Sequence, residues 1–430
     1  MHHTYISPFI HTVGYPAKSH MGMARAARWR APRPVIPRPL RLRVIGILLF
    51  CWATYQQHLF SIYRSALSAK YAPTEFGLLG GESTYRPHKE AANLQAGLLA
   101  KRAEWKELGA GFEGTTYVFN DTVIKTFTPG RSPFRNCAFR NTAIRWPTEI
   151  PMSLLLCGID AGGNIASLAS RNTTPVRCPP VKAAFYTSAS PEVVPQWHLA
   201  TQFARQGTLR TLSQNLYAQT LDFRTLDRQY RETFHSLLGS LHTLHAAGFC
   251  HDDIKPDNIL IWEDSTWVVG DLGNVRQFGH AYHESRIWLE NGQMPDCRAN
   301  DAVRALKSYI RFLRAASIDA EMLDEELFLG KEPLSELFLG VLADARTISV
   351  EELRRRSSVQ YTAPPAEAGA MEGEMHPSAP FSVFSTLSLR RQRLARRVED
   401  ALDLSNSEMH ARRTAMTWIF GIDQAVCGGA

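Results

Sequence analysis

The sequence predicts an α+β protein of two lobes, a small β-rich N-terminal lobe and a large helical C-terminal lobe. Two observations lead to this fold class. From about residue 104, short alternating apolar segments bounded by turn residues come first, and segments with helical apolar spacing follow as far as about residue 356. The 430 residues are 44% hydrophobic and 21% charged, which excludes a wholly disordered, collagen-like or multi-span membrane protein.

The N-terminal region is basic. Residues 1–74 contain ten Lys and Arg residues, and the first acidic residue is Glu75, whereas the rest of the chain is mildly acidic. A mildly acidic main body gives no indication of nucleic-acid binding. Residues 1–43 are interpreted as a basic arm rich in Pro and Arg. Arginines alternate with prolines over residues 24–43, so we expect no regular helix in that stretch.

Residues 44–63 contain no formal charge and have the length that a helix needs to cross a bilayer. Three interpretations remain open: a transmembrane signal anchor, a mitochondrial presequence, and an amphipathic arm of a soluble protein. We predict the anchor, and hence a single-pass membrane protein that contacts the membrane through this segment. A cytoplasmic or mitochondrial location is the alternative. Residues 64–103 are interpreted as a transition segment.

The C-terminal part of the chain begins with a segment rich in Pro, Ala, Gly and Glu, residues 357–380, which predicts a flexible linker. Residues 381–430 are predicted to form a helical tail, because Leu387, Leu394, Val398 and Leu402 recur at helical spacing.

Cysteines and histidines outside the motifs suggest no metal chemistry. The seven cysteines are scattered and form no C-x-x-C pair, so we expect neither a disulfide scaffold nor a zinc site. We expect Cys250 to be a buried core thiol. His280 and His283 are expected to be exposed in a loop.

A glycine-rich segment gives the first indication of phosphate binding. Gly109, Gly111 and Gly114 form G-x-G-x-x-G, which lets backbone amides approach phosphate oxygens. Two short strands follow, separated by the turn residues Asn120 and Asp121, and the second strand contains Lys125. A dinucleotide-binding fold would continue from the glycines into a helix, so the hairpin favours a flap over nucleotide phosphates.

A second segment, GFCHDDIKPDNILIWEDSTWVVGDLG at residues 248–273, carries the stronger indication. Phosphoryl transfer to a hydroxyl requires a carboxylate beside the attacking oxygen, a cation for the transferring charge and oxygen ligands for Mg²⁺. Asp253, Lys255, Asn258 and Asp271 supply these groups from one loop and one hairpin.

With both motifs in place, the sequence resembles the eukaryotic protein-kinase superfamily over about residues 104–356, and in particular its divergent, fungal-type serine/threonine kinase-like members. The resemblance implies a protein-kinase-like fold. It also implies that Asp301 opens a long buried helix of the large lobe. The residues to which it gives roles fall into three groups: Gly109, Gly111, Gly114, Lys125, Glu149, Gln202 and Ala204 for ATP, with Thr201 at the back of the adenine pocket; Asp253 and Lys255 for catalysis, beside His251; and Asn258 and Asp271 for Mg²⁺.

Three departures from the family pattern affect the functional prediction. Asp252 stands where kinases regulated by activation-loop phosphate have an arginine, so that switch is predicted to be absent. No Ala-Pro-Glu triplet occurs between Asp271 and Asp301, and Leu272 replaces the usual phenylalanine. Lys255 favours the serine/threonine protein-kinase branch over small-molecule phosphotransferases.

The resemblance therefore implies an ATP- and Mg²⁺-dependent serine/threonine protein kinase that transfers the γ-phosphate to a hydroxyl of an unidentified protein substrate. Two alternatives remain open. One is a small-molecule phosphotransferase of the same fold, and the other is an ATP-binding pseudokinase.

Overall fold

The structure of the protein is a computed structural model. It describes residues 38–76, 89–111, 113–128, 136–139, 145–157, 176–187, 194–262, 266–329, 331–358 and 392–416. The chain divides into two units between Gln56 and Gln57. Most of the basic arm and residues 359–380 of the predicted linker lie outside the described residues.

The N-terminal lobe contains five strands in one antiparallel sheet, one small hairpin and two helices. In chain order its elements are α2 (Lys89–Ala100), the 3-10 helix Arg102–Glu104, β1 (Lys106–Ala110), β2 (Gly114–Phe119), β3 (Thr122–Phe127), β4 (Cys137–Phe139), β5 (Arg145–Pro147), α3 (Glu149–Cys157), β6 (Val181–Thr187) and β7 (Gln196–Gln202). The sheet order is β1-β2-β3-β7-β6, and β4 pairs with β5. This order places β3 in the centre of the sheet, where Lys125 is held from both sides.

The hairpin predicted after the glycine-rich segment is confirmed. Phe119 pairs with Thr122, which leaves Asn120 and Asp121 as a two-residue turn. Asn120 has φ of 52°, a left-handed conformation that asparagine tolerates better than most residues. The tight turn fixes the register that sets Lys125 opposite Thr116.

In the described residues the C-terminal lobe is helical, apart from the β9–β10 hairpin and the antiparallel pair β8–β11. Its elements are α4 (Leu209–Tyr217), α5 (Phe223–Ala246), β8 (Phe249–Cys250), the 3-10 helix Pro256–Asn258, β9 (Ile259–Ile261), β10 (Trp267–Val269), the 3-10 helix Leu272–Asn274, β11 (Arg276–Gln277), the 3-10 helix Ala281–Glu284, α6 (Arg286–Glu290), α7 (Cys297–Ala316), α8 (Ala320–Leu329), α9 (Pro333–Ala343), α10 (Val350–Ser357), α11 (residues 392–401) and α12 (Met409–Met416). The predicted two-lobed α+β fold is confirmed.

The core of this lobe forms where α5, α7 and the β9–β10 hairpin meet. Asp222 caps α5 by accepting a hydrogen bond from the Thr225 amide, which fixes where the helix begins. The rings of Phe234 and Tyr309 stack with centroids 4.3 Å apart, and Trp267 is buried beside them. These aromatic contacts hold the hairpin rigidly against the two longest helices of the lobe.

The helix that contains the predicted membrane anchor is α1 (Arg38–Lys70). The membrane prediction is wrong: among the described residues, no helix combines the length and the apolar character that a membrane span requires. The uncharged segment is the middle of a longer helix, and its C-terminal end packs on protein instead. Phe60 and Tyr63 are buried, and the Tyr63 hydroxyl donates a hydrogen bond to Glu290 Oε1 at 2.9 Å.

The start of α1 corrects a second expectation. Regular helix was not expected before residue 44, yet α1 begins at Arg38. Pro39 is its second residue, where a missing backbone N–H costs nothing because the first amides of a helix have no intrahelical partner. Pro39 therefore lies in the first turn of a helix and does not exclude one.

Disulfides within the described part of the chain correct the expectation for the cysteines. Cys157 is bonded to Cys178, and Cys250 is bonded to Cys297, with Cα atoms 5.8 Å and 6.0 Å apart. Cys250 is thus a cross-link between β8 and the first turn of α7, not a core thiol. The residues of each pair lie far apart in sequence, so spacing alone gave no signal.

Candidate active site

Two neighbouring cavities lie between the lobes and share Thr116, Lys125 and Asp271 in their walls. The first, which we call the inner cavity, has a volume of about 330 Å³ and is lined by residues of β2, β3, β7 and the β9–β10 hairpin. The second, the outer cavity, has a volume of about 790 Å³ and contains Asp253 and Lys255. Two molecules, one bound in each cavity, would therefore contact each other beside Lys125 and Asp271.

Lys125 lies at the centre of a cluster of carboxylates. Its ammonium group is paired with Glu149, lies 3.2 Å from Asp271 Oδ1 and lies 3.5 Å from Glu113 Oε2. Burial would lower the pKa of Lys125, but the three carboxylates raise it well above its usual value. The lysine is therefore a permanent positive charge at the junction of the two cavities.

Glu149 reaches this lysine because it is the first residue of α3. Pro151 is accommodated in the first turn of that helix, where its missing amide has no intrahelical acceptor to lose. Burial raises the pKa of Glu149 to about 7; Lys125 opposes this rise, while Asp271 and Glu113 add to it. The cluster holds more negative than positive charge, which favours the arrival of a further cation.

The glycine-rich segment covers the outer cavity with Gly111 and Gly114. A Cβ on Gly114 would lie 2.0 Å from the carbonyl oxygen of Thr126, so only glycine fits between β2 and β3 at this point. A Cβ on Gly109, which lies on the edge strand β1, would meet no heavy atom within 4 Å. The tight packing at Gly114 fixes the end of the flap next to Lys125.

Asp253 is held by groups from its own loop. Its Oδ2 accepts hydrogen bonds from Lys255 Nζ at 2.8 Å and from Asn258 Nδ2 at 3.1 Å. The Asn258 side chain also donates to the Asp253 carbonyl at 2.9 Å. These bonds orient the carboxylate towards the outer cavity.

The side chain of Asp301 in α7 fixes the backbone of the loop that contains Asp253. Asp301 accepts hydrogen bonds from the backbone amides of His251 at 2.7 Å and Asp252 at 3.0 Å. His251 is buried, and its Nε2–H donates to the Gly270 carbonyl at 3.0 Å. The loop that contains Asp253 and the segment before Asp271 are thereby joined, which fixes the distance between Asp253 and Asp271.

Three further contacts were missed in the sequence. Arg304 lies 3.4 Å from Asp253 Oδ1, Asn274 donates to Asp253 Oδ2 at 3.4 Å, and Glu113 joins the Lys125 cluster. The position of Arg304, three residues after Asp301 on one face of α7, was the available signal. Asn274 and Glu113 lie within or beside the two motifs, but no residue spacing distinguishes them from a neutral loop residue.

The acidic residues around Lys125 fit a hard divalent cation. Carboxylate oxygens of Glu113, Glu149 and Asp271 all lie within 4.8 Å of one another, and oxygen donors of this kind are what Mg²⁺ prefers. Asn258 uses its amide nitrogen to bind Asp253, and its Oδ1 accepts no hydrogen bond from the described residues. Of the two residues predicted as metal ligands, Asp271 belongs to this carboxylate group, and Asn258 lines the inner cavity with it. Their roles in metal binding stay predictions.

The predicted adenine contacts are arranged differently. Thr201 lines the inner cavity. Gln202 and Ala204 line a separate cavity of about 330 Å³ together with Asp121. The Gln202 amide donates to the Pro180 carbonyl at 3.0 Å. The described residues thus do not bring Gln202 and Ala204 together with Lys125, and their role in ATP binding stays a prediction.

Asp252 forms a buried charge network with the segment that follows Asp271. Its Oδ2 lies 3.2 Å from Arg276 Nη1 and accepts a hydrogen bond from His283 Nε2 at 2.9 Å. Burial would raise the pKa of Asp252, but His283 and Arg276 lower it, and Asp252 in turn raises the pKa of His283 against the effect of burial. His280 and His283 are both buried, so the expectation of exposed loop histidines is wrong.

A family model described as "Protein kinase domain" matches residues 187–291. The matched stretch contains Asp253, Lys255, Asn258 and Asp271 and leaves out the glycine-rich segment. No curated protein matches the chain. The match supports the predicted resemblance to the protein-kinase-like superfamily over the segment that contains the second motif.

Proposed function

We propose that this protein is an ATP- and Mg²⁺-dependent serine/threonine protein kinase. The match of residues 187–291 to the protein kinase domain model supports a kinase-like phosphotransferase. One observation carries the finer proposal. The inner and outer cavities meet at Lys125 and Asp271, and Asp253 faces the outer cavity from a loop fixed at both ends.

In this proposal ATP occupies the inner cavity with its phosphates directed towards the outer one. Lys125 attracts the phosphates, and Glu149 fixes the position of the lysine. Gly111 and Gly114 let the backbone come close to the phosphates because neither carries a side chain that would intervene. Mg²⁺, when bound, would neutralise phosphate charge, and Asp271 with Asn258 would hold it.

The acceptor hydroxyl enters from the outer cavity. Asp253 accepts a hydrogen bond from that hydroxyl and orients its oxygen towards the γ-phosphorus. The new bond joins the hydroxyl oxygen to phosphorus, the bond from phosphorus to the β–γ bridging oxygen breaks, and the proton passes to Asp253 as ADP leaves. Lys255, 2.8 Å from Asp253, stabilises negative charge on the transferring group.

The test is a transfer assay on the full chain with γ-labelled ATP, Mg²⁺ and a mixture of proteins and small hydroxyl compounds. We expect label on serine or threonine. Asp253→Asn should lower kcat/KM on the order of 10²-fold or more and retain nucleotide binding, whereas Lys125→Met should weaken both. Asp400→Asn, an exposed aspartate in α11, is the matched control.

Three outcomes count against the proposal. If the protein transfers no phosphate and binds no Mg·ATP, it is not an enzyme of this class. Transfer to small molecules alone would instead replace the protein acceptor by a small one. Asp253→Asn with wild-type activity would remove Asp253 from the mechanism.

A further inference from the structure

The segment between α11 and α12, residues 402–408, enters the outer cavity. Leu404, Ser405, Asn406, Ser407 and Glu408 all line this cavity, which also contains Asp253, Lys255 and Asp271. The segment is anchored at both ends. Leu402 and Leu404 are buried at one end, and Glu408 is buried at the other, where it is paired with Lys70 at 2.6 Å.

Arg304 connects this segment to the catalytic carboxylate. Its Nη2 lies 3.4 Å from Asp253 Oδ1 and donates a hydrogen bond to the Leu404 carbonyl at 3.0 Å. Its Nη1 lies 3.4 Å from Asn406 Oδ1. The buried guanidinium of Arg304 therefore contacts Leu404 and Asn406, on either side of Ser405. The same group contacts the carboxylate of Asp253, which accepts the hydroxyl proton in the proposed reaction.

The side-chain hydroxyls of the outer cavity differ in accessibility. Tyr71 is buried, donates its hydroxyl proton to Glu408 at 2.7 Å and accepts from Arg412 at 2.9 Å. Tyr282 is buried as well. Ser405 and Ser407 are exposed; Ser405 donates to Asp403 Oδ2 at 2.7 Å, while the Ser407 amide is fixed by Asn291 Oδ1 at 2.8 Å.

The outer cavity also suits the phosphorylated product. Lys70, Lys255 and Arg412 line it; Arg276 also lies in its wall but is paired with Asp252. Basic side chains form strong hydrogen bonds with a phosphoserine dianion. Lys70 and Arg412, which are paired with Glu408, could bind a nearby phosphate in place of that carboxylate.

We propose that Ser405 and Ser407 are intramolecular phosphate acceptors, so that this chain phosphorylates its own C-terminal segment. The proposal rests on the proposed kinase activity and names an acceptor for it. The serine oxygen bonds to the γ-phosphorus, the bond to the β–γ bridging oxygen breaks, ADP leaves, and the proton passes to Asp253. Anchoring at Leu404 and Glu408 makes the reaction effectively unimolecular, because both reactants belong to one folded chain.

The experiment uses the full chain, freed of phosphate with a phosphatase that is then removed, and incubated with Mg·ATP. Peptide mapping by mass spectrometry is expected to place phosphate on Ser405 or Ser407, with a rate constant that does not change on dilution. The double variant Ser405→Ala/Ser407→Ala should reduce incorporation to background, and the single variants assign the site. Ser358→Ala, an exposed serine outside the cavity, is the control and should incorporate phosphate as the wild type does.

A second measurement separates intramolecular from intermolecular transfer. Asp253→Asn chain is mixed with wild-type chain, and it should stay unlabelled at both serines. Labelling of the inactive chain, or phosphate only at other residues, would overturn the proposal. An added protein acceptor separates the two hypotheses: transfer to that acceptor without label on the serines defeats only this inference, whereas no transfer to either defeats the proposed function.

Discussion

Asp252 carries the opposite charge to the arginine that the family resemblance leads one to expect before the catalytic aspartate. In the structure the basic partner is supplied from the other side, by Arg276 of β11, and both side chains are only 1% exposed. Asp252 and Asp271 adopt left-handed backbone conformations, with φ of 62° and 52°. Non-glycine residues in this region cost about 1–3 kcal/mol each, and the surrounding contacts must compensate for that cost.

The buried pair leads to a stability prediction. Asp252→Ala leaves Arg276 buried without its carboxylate, and it should lower the free energy of unfolding by about 3–5 kcal/mol. Urea denaturation monitored by fluorescence measures this change. Asp344→Ala is the matched control because Asp344 is half exposed and pairs with Arg356 at the surface, where about 0–1 kcal/mol is expected.

Equal destabilisation by the two variants would show that the Asp252–Arg276 pair does not hold the segment. The same pair bears on the prediction that a phosphate in this segment does not switch the enzyme on. Arg276, the basic residue available to hold such a phosphate, is already paired with the Asp252 carboxylate. Ser285, a hydroxyl of that segment, is buried and caps α6 by accepting a hydrogen bond from the Trp288 amide.

At the scale of single elements, local sequence patterns were sufficient to predict contacts between residues that lie close together in the sequence. Asp253, Lys255 and Asn258 lie within six positions, so their mutual contacts follow from one loop. The β2–β3 hairpin follows from Asn120 and Asp121 in the same way.

Patterns failed where the partner lies far along the chain. The uncharged segment 44–63 suggested lipid, but its C-terminal end contacts protein: Tyr63 is buried and bonds to Glu290, 227 positions later. The absence of charge in a segment does not reveal such a distant partner. Arg304 was missed for a related reason: its spacing from Asp301 was a weak signal, and its partner Asp253 lies 51 positions earlier in the chain.

Gly114 gives the prediction that belongs to an element. A methyl group there would collide with the Thr126 carbonyl, which belongs to the backbone of β3 and cannot rotate away. Gly114→Ala should therefore destabilise the sheet by about 1–3 kcal/mol and displace the flap from Lys125. Gly109→Ala is the control, since open space surrounds that position and little change is expected.

Thermal unfolding of the nucleotide-free protein measures both variants without relying on activity. If Gly109→Ala costs as much as Gly114→Ala, the effect is a general loss of glycine flexibility in the flap. The close approach of β2 to β3 would then not explain it.

At the scale of the whole molecule, segments from both ends of the chain cover the same face of the large lobe. Tyr63, Leu67 and Tyr71 of the N-terminal side share one buried cluster with Ala411 and Ala415 of α12. The cluster also contains Trp288 and the disulfide-bonded Cys250 and Cys297. Packing contacts from α1 and α12 and the Cys250–Cys297 disulfide therefore lie in one cluster, next to the loop that contains Asp253.

This convergence predicts that the Cys250–Cys297 disulfide contributes to the stability of the whole fold. The bond closes a loop of 47 residues, and a loop of that size restricts the unfolded chain enough to stabilise the fold by about 2–5 kcal/mol. Cys250→Ala/Cys297→Ala should lower the melting temperature accordingly. Cys51→Ala is the matched control, because Cys51 is an exposed free thiol whose removal leaves every disulfide intact.

Reduction provides the second arm of this experiment. A reductant should lower the melting temperature of the wild type and of Cys51→Ala by similar amounts, and that of Cys250→Ala/Cys297→Ala by less, because one of its bonds is already absent. Alkylation under denaturing, non-reducing conditions followed by mass spectrometry tests the bond itself. Modification of Cys250 and Cys297 in untreated protein would show that they are free thiols, and the stability of the catalytic loop would then have to come from Asp301 and the packed flanks alone.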